Sequence, residues 1–363
     1  MHESPRTWLV TGAAGFIGSA VVRTLIDATD HRVVSFDALT YAGDRSNLAH
    51  ADGHARHTFV HADVNDAAAL DRVLVEHRPN AVLHLAAESH VDRSIDGPAA
   101  FIRTNLVGTF TLLEAVRRYL AGYGDDERSS FRFVHVSTDE VFGSLGARGA
   151  FDITSPYDPR SPYSASKAGS DHLARAWHHT YGLPVVVTNC SNNYGPYQHP
   201  EKLIPHITLR ALHGLPLPVY GTGTNVRDWL HVEDHARGLV SAAQHGAPGS
   251  TYLFGGGAER TTLQVVRQVC TVLDDLRPSG APHDRLIDFV TDRPGHDFRY
   301  AIDASSARDG LGWQPQHDFD DGIRATVRWY LDHLDWCDGR MRTDCGLERL
   351  GTADRPTTSA PTR

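Results

Sequence analysis

Cysteine is scarce in this 363-residue chain: Cys190, Cys270, Cys337 and Cys345 are the only four, and no two form a C-x-x-C pair. Nothing in that spacing calls for a disulfide framework, so a reducing cytoplasm is the expected compartment. Long apolar runs are missing as well; without a window of about eighteen apolar residues, no membrane span is expected. There is no excess of basic residues. Thirty-five Lys and Arg face 44 Asp and Glu, a formal net charge of −9. Without a basic patch, nucleic acid and anionic membrane drop out as expected partners. The 23 histidines are scattered, and the adjacent His178 and His179 cannot share a helix face, so no metal is expected. The opening "MHESPRTW" is too short and polar for a signal peptide. At the other end, "TADRPTTSAPTR" closes a segment, 340–363, that reads as a disordered tail.

What is present is an ordinary globular composition, long enough for a sizeable core. Strand and helix patterns alternate from the start. "TWLVTG", "RVVSFD", "HTFVHAD", "AVLHLAA", "FRFVHVST" and "LPVVVTNC" read as strands. "FIGSAVVRTLIDA", "AAALDRVLVEHRP", "FIRTNLVGTFTLLEAVRRYL" and "SASKAGSDHLARAWHHTY" read as helices. Buried apolar strands alternating with helices predict an α/β fold with a Rossmann-type, doubly wound parallel sheet. After Asn189 proline becomes frequent and short elements mix. The expected division is a dinucleotide-binding domain over 1–189, carrying the catalytic residues, and a smaller mixed α/β substrate domain over 190–335 that returns in places to the first.

Three stretches carry chemistry. "TGAAGFIGSA" puts Gly12, Gly15 and Gly18 between the first strand and its helix, where glycines permit a tight turn and close approach of backbone to a pyrophosphate. Asp37 ends the second strand, where an acid can take both hydroxyls of an adenosine ribose and repel a 2′-phosphate. NAD is therefore expected rather than NADP, with Asp63 in reach of the adenine. "SPYSASK" places Tyr163 and Lys167 four apart on one helix face. Phenols ionise near pH ~10, and a neighbouring ammonium and a nicotinium charge favour the phenolate, making Tyr163 a usable base. In "STDEVFG", Thr138 precedes two adjacent acids, Asp139 and Glu140. Adjacent carboxylates in a confined site resist double ionisation, so one remains an acid beside a base.

Taken in order, "TGAAGFIGS", "LTYAGDRSNL", "LHLAAESHVDRSI", "STDEVFG", "SPYSASK", "NCSNNYGPY", "PEKLIP", "RDWLHVEDHARGL" and "TDRPGHDFRYAID" resemble the extended short-chain dehydrogenase/reductases and, within them, the dTDP-glucose 4,6-dehydratases. The resemblance implies a lyase that is redox-neutral overall. Tyr163, with Thr138 on the same hydroxyl, would deprotonate the sugar's C4 hydroxyl as NAD takes the C4 hydride. Glu140 would remove the C5 proton, Asp139 would protonate the departing C6 hydroxyl, and the hydride would return to C6. It implies that Phe16, Ile17, Leu39, Thr40, Val64, Ala86, Ala87, Thr104 and Asn193 line NAD beside Gly12, Gly15, Gly18, Asp37, Asp63, Tyr163 and Lys167. Ser89 and Asn192, with Thr138, would touch the sugar. Lys202, Leu203, Pro218, Tyr220, Arg227, Arg293 and His296 would hold the nucleoside diphosphate, Arg227 as a bidentate guanidinium. A homodimer through the two helices around 101–120 and 162–181 is implied too.

The chain departs from the family pattern at Phe142, Leu253, Thr262 and Gln198-His199, which leaves the base open. A 4,6-dehydratase of a UDP- or CDP-linked sugar and a C4 epimerase of the same fold stay as alternatives. An epimerase has no use for the acid at Asp139.

Overall fold

Strand β1 (Thr7–Thr11) shows how the sheet forms. Trp8 and Val10 pack on one face and Leu9 on the other, the period-two alternation of a strand buried on both sides. The computed structural model of the protein describes residues 5–292 and 296–343. The strands that follow are β2 (Arg32–Asp37), β3 (His57–His61), β4 (Ala81–His84), β5 (Arg132–Thr138) and β6 (Val185–Cys190), then β7 (Asn192–Tyr194), β8 (Leu217–Tyr220), β9 (Val226–His231), β10 (Thr251–Phe254), β11 (Glu259–Thr261) and β12 (Ile287–Val290). Seven of them make one sheet in the order β10-β6-β5-β4-β1-β2-β3, every neighbouring pair parallel. Its order reverses between β1 and β4, the place where such sheets open a crevice for ligands.

The six strands read from the sequence all pair here, and β10 closes the edge next to β6. "TYLF" is only four residues long, too little pattern to mark it. Helices Phe16–Ala28 and Val232–His245 cover one face through Val21, Leu25, Leu239 and Val240. Helices Ala67–His77, Thr109–Leu120 and Pro162–Tyr181 cover the other through Leu70, Leu74, Leu112, Val116 and Ala174. Fully burying each such aliphatic side chain is worth about 1.5–3 kcal/mol. Beyond the sheet, β9 pairs with β7 and β11, and β8 with β12. Helices Leu203–Leu212, Thr262–Leu276 and Phe319–Asp332 close a separate core there.

Two local expectations change. The long helix expected over 101–120 widens into a π-helical stretch at Ile102–Gly108 before Thr109–Leu120. Asn105 sits in that stretch, its amide bonding the Glu88 N–H (2.8 Å), the Glu88 carbonyl (3.0 Å) and the Ser166 hydroxyl (2.9 Å). Such wide turns recur at functional sites. The tail expected from 340 does not begin there, because helix Leu334–Thr343 continues through Arg340. The Arg340 guanidinium bonds Ser46 Oγ and pairs with Asp44, both at 3.1 Å. The rest of that tail, 344–363, lies outside the described residues.

Histidines that look scattered along the chain do meet in one place. Ligand atoms of His231, Glu233 and His317 all lie within 4.8 Å of one another. The two rings stack at 3.9 Å and 22°, so their nitrogens point side by side rather than at a common centre. Asp234 and Glu233 raise His317 to about 9, while burial and the His317 charge lower His231 to about 4. The group works as an ion-pair lock between segment 316–317 and helix Val232–His245.

Candidate active site

At the end of β1 the chain turns through Gly12 at φ +68°, where an added Cβ would lie 2.6 Å from the Ala86 backbone nitrogen. A Cβ on Gly18 would lie 2.0 Å from the Gly12 carbonyl oxygen. Only glycine fits at both, and the turn therefore hugs the next strand. Gly15 caps helix Phe16–Ala28 without a side-chain cap, and the first turn holds no acid. The leading N–H groups of that helix face the cavity as an anion site. Asp37 ends β2 with one oxygen accepting from Ala14 N–H (2.9 Å) and the other from Leu39 N–H (2.8 Å). Each oxygen keeps a further lone pair for a ribose hydroxyl. These features fit NAD.

The turn opens on a cavity of about 300 Å³. Its wall carries Gly12, Gly15, Phe16, Ile17, Gly18, Asp37, Thr40, Asp63, Val64, Ala86, Ala87, Thr104 and Asn193 from the expected cofactor set. Ser89, Asn192 and Lys202 from the expected substrate set share it, as do Thr138, Asp139, Glu140, Tyr163 and Lys167. Leu39 is off the wall; at φ +50° it spends its N–H on Asp37. Leu203, Pro218, Tyr220, Arg227 and His296 also stand off it, and Arg293 lies outside the described residues.

Several of those residues gather nearby instead. Tyr220 on β8 meets the His296 ring edge-on at 6.4 Å. Arg227 on β9 is buried, its guanidinium donating to the carbonyls of Val226 (2.8 Å) and Asp297 (3.0 Å) and lying 4.2 Å above the Tyr300 ring. Leu253 is elsewhere. It is fully buried on β10 among Val141, Phe142, Ala168 and Tyr300, a core position rather than a nucleotide contact.

Thr138, Asp139 and Glu140 of "STDEVFG" follow from the end of β5. Thr138 closes the strand, and Asp139–Phe142 forms one 3-10 turn behind it. The Thr138 hydroxyl donates to Asp139 Oδ1 (3.3 Å), accepts from Glu140 N–H (3.3 Å) and is bonded to the Tyr163 side chain. Asp139 is 1% exposed, and its Oδ2 has no hydrogen-bond partner among the described residues. Burial first, then the Glu140 and Asp228 charges, push its carboxyl well above the usual range, with Arg227 and Thr138 opposing. That direction favours the protonated form of the Asp139 carboxyl.

Tyr163 and Lys167 project from helix Pro162–Tyr181, which opens with Pro162 after the Ser161 cap. Burial and then the Glu140 charge push the Tyr163 hydroxyl well up. The Lys167 ammonium, on the same helix face and the same cavity wall, donates to the Val136 carbonyl at 2.8 Å. One turn on, Asp171 is fully buried and accepts from His135 Nε2 (2.9 Å), the Tyr157 hydroxyl (2.8 Å) and Asn189 Nδ2 (3.3 Å). Sequence reading passed over Asp171. The signal was there, because Tyr163, Lys167 and Asp171 recur every fourth residue on one helix face.

A dinucleotide cradle, a Tyr-Lys helix and two adjacent acids, one of them buried, around one cavity define an extended short-chain dehydrogenase/reductase. The family model for GDP-mannose 4,6 dehydratase matches residues 9–326. A dTDP-glucose 4,6-dehydratase of Xanthomonas campestris pv. campestris (strain B100) is 56% identical over 347 residues, 95% of this chain and 99% of that one. Escherichia coli (strain K12) dTDP-glucose 4,6-dehydratase 1 is 55% identical over 339 residues, 91% of this chain and 94% of its own. The crystal structure of Streptomyces venezuelae DesIV (dTDP-glucose 4,6-dehydratase) with NAD and TYD bound superposes with a TM-score of 0.84 at 46% identity, covering 92% of this chain and 99% of that one. The chain belongs to the dTDP-glucose 4,6-dehydratase family.

Proposed function

We propose that the protein removes water from dTDP-glucose to give dTDP-4-keto-6-deoxyglucose. The supporting observation is Asp139: a buried carboxyl biased toward its protonated form next to Glu140, on the same wall as Tyr163 and the glycine cradle. Bound NAD supplies the acceptor for the C4 hydride, its return to C6, and a positive charge that favours the Tyr163 phenolate.

Each remaining step belongs to a side chain. Tyr163, its hydroxyl held by Thr138, takes the proton of the sugar's C4 hydroxyl. The resulting C4 ketone acidifies C5, and Glu140 takes the C5 proton. Asp139 gives its proton to the C6 hydroxyl, which leaves as water. Glu140 returns its proton to C5 as C6 is reduced. In net terms the C4 hydroxyl proton and the C6 hydroxyl depart together, so the proton on Tyr163 resets Asp139.

Ser89, Asn192 and Thr138 hold the sugar, and Lys202 marks the way from the cavity to the nucleotide. Arg227, Tyr220 and His296, with Leu203, Pro218 and Arg293, take the nucleoside diphosphate. The Asp139 carboxyl senses the Arg227 charge, which supports a nucleotide site adjoining the dyad. A second copy of the chain covers Ile102, Val107, Phe110 and Tyr181, large apolar side chains each 45–46% exposed on two neighbouring helices. The enzyme works in the cytoplasm; Cys190, Cys270 and Cys337 are buried free thiols, and no helix among the described residues is long and apolar enough to cross a membrane.

Incubation with dTDP-, UDP- and CDP-glucose, followed by mass spectrometry, tests this reading. Loss of one water from dTDP-glucose in preference to the others is the expected result. Conversion of another nucleotide sugar instead would refute the base, and C4 inversion without mass loss would refute the reaction.

A further inference from the structure

The catalytic helix carries a buried carboxylate that the proposed steps do not use. Asp171 is 0% exposed, yet its donors are arranged around both oxygens: His135 Nε2 on Oδ1, and the Tyr157 hydroxyl and Asn189 Nδ2 on Oδ2. They come from β5, β6 and the segment ahead of the helix, so three parts of the fold converge on one carboxylate. A buried carboxylate this well supplied with donors is held as an anion. The matching cation is Lys167, one turn back on the same helix and 4% exposed. An ammonium buried without a counter-charge gives up its proton.

We propose that Asp171 is a positioning residue for the reaction, supplying the fixed counter-charge that keeps Lys167 an ammonium beside the cofactor and Tyr163. The inference rests on the dehydratase reading above. His135 takes no part as a charge. Burial lowers it, and so does the Lys167 field, leaving a neutral ring that donates to Asp171. Burial also lowers Lys167, with Asp171 the leading opposing influence and Cys190 the next. Asp171 stays ionised despite its burial, through the His135 bond and the Lys167 field.

The other groups facing this pair do not replace it. Arg175 bonds the Tyr157 hydroxyl at 3.1 Å, and Ser170 bonds His135 at 3.3 Å. His84, buried against His135 from β4, is also lowered by burial, and its ring is bridged by Thr11 (2.8 Å) and Thr109 (2.9 Å). Asp139 is biased toward its protonated form, and Glu140 acts on Tyr163 in the wrong sense, raising it. The Cys190 thiol is pushed up by burial and by Asp139, so it brings no charge at neutral pH. Bound NAD adds a positive charge, which increases the need for an anion behind Lys167.

The test is the pH dependence of single-turnover C4 oxidation in NAD-loaded enzyme, comparing wild type with Asp171→Asn. Without the carboxylate, Lys167 loses its proton at lower pH and Tyr163 loses its cation, so the rising limb moves to higher pH. A shift of about one unit would cut the rate near neutrality roughly tenfold and restore it at alkaline pH. Asp171→Ser, which leaves room for water, should shift the limb in the same direction; NAD content and thermal melting report folding. An unshifted limb, or a loss equal at every pH, would overturn the proposal. Failure of both variants to fold would overturn it too, assigning Asp171 to the core alone. An inert wild type would instead refute the dehydratase reading, so the two failures are distinguishable.

Discussion

Asp139→Asn should destroy elimination while making the protein more stable. In the native structure Asp139 is buried, its Oδ2 lacks a partner among the described residues, and Glu140 and Asp228 disfavour its charge. The unfolded chain releases that proton near pH ~3.9, whereas the folded chain keeps it. Where the folded state binds more protons, stability falls as pH rises, by about 1.4 kcal/mol per unit for one group. The cost begins above the unfolded value and stops growing at the raised native one. Asparagine keeps an oxygen for the Thr138 hydroxyl and removes the titration. The variant's advantage should be smallest near pH 4 and grow as pH rises, levelling off at the raised native value. Urea unfolding of both proteins at saturating NAD from pH 4 to 8 measures it. Water loss from dTDP-glucose should fall by about 10²–10⁴, the range for a lost general acid. A stability difference that is flat with pH, or a variant less stable throughout, would refute the protonated Asp139.

Three further outcomes are expected. Glu140→Gln should complete C4 oxidation and then stall, so reduced-nicotinamide absorbance should build up in a single turnover; ordinary turnover would remove its role as C5 base. Arg227→Ala should raise the apparent KM for dTDP-glucose about tenfold or more, as for a lost charged hydrogen bond, with NAD content unchanged; an unaltered KM would exclude the phosphate contact. Phe110→Asp places a charge on a ring 45% exposed and edge-on to Trp177 at 5.8 Å. Sedimentation should then show monomer where the native chain shows dimer, and an unchanged mass would move the interface elsewhere.

Much of the fold was legible because β1, β2, β4, β5 and β6 are apolar runs, most of them separated by amphipathic helices, a pattern set by burial on both faces of a parallel sheet. Local cues also marked the glycine turn, Asp37 and the 137–143 stretch, where neighbours in sequence are neighbours in space. Legibility ended where distant segments had to meet. Asp171 collects donors from 135, 157 and 189, and β10 finds β6 across sixty residues of chain. Leu253 stands in the place of a family asparagine near the nucleotide region, yet β10 carries it into the core behind the dyad. Lys167 shares a helix face with Tyr163, but its ammonium has rotatable bonds enough to choose the Val136 carbonyl. Side-chain direction of that kind is decided by packing, which spacing alone does not contain.

The proposed reaction has Tyr163, Asp139, Glu140 and NAD acting on a single sugar in one cavity. dTDP-glucose carrying deuterium at C4, converted in ordinary water and read by NMR and mass spectrometry, tests it most directly. The product should have lost one water and carry the deuterium at C6 of the same molecule. Deuterium washed out to solvent, or retained at C4, would contradict the proposed reaction.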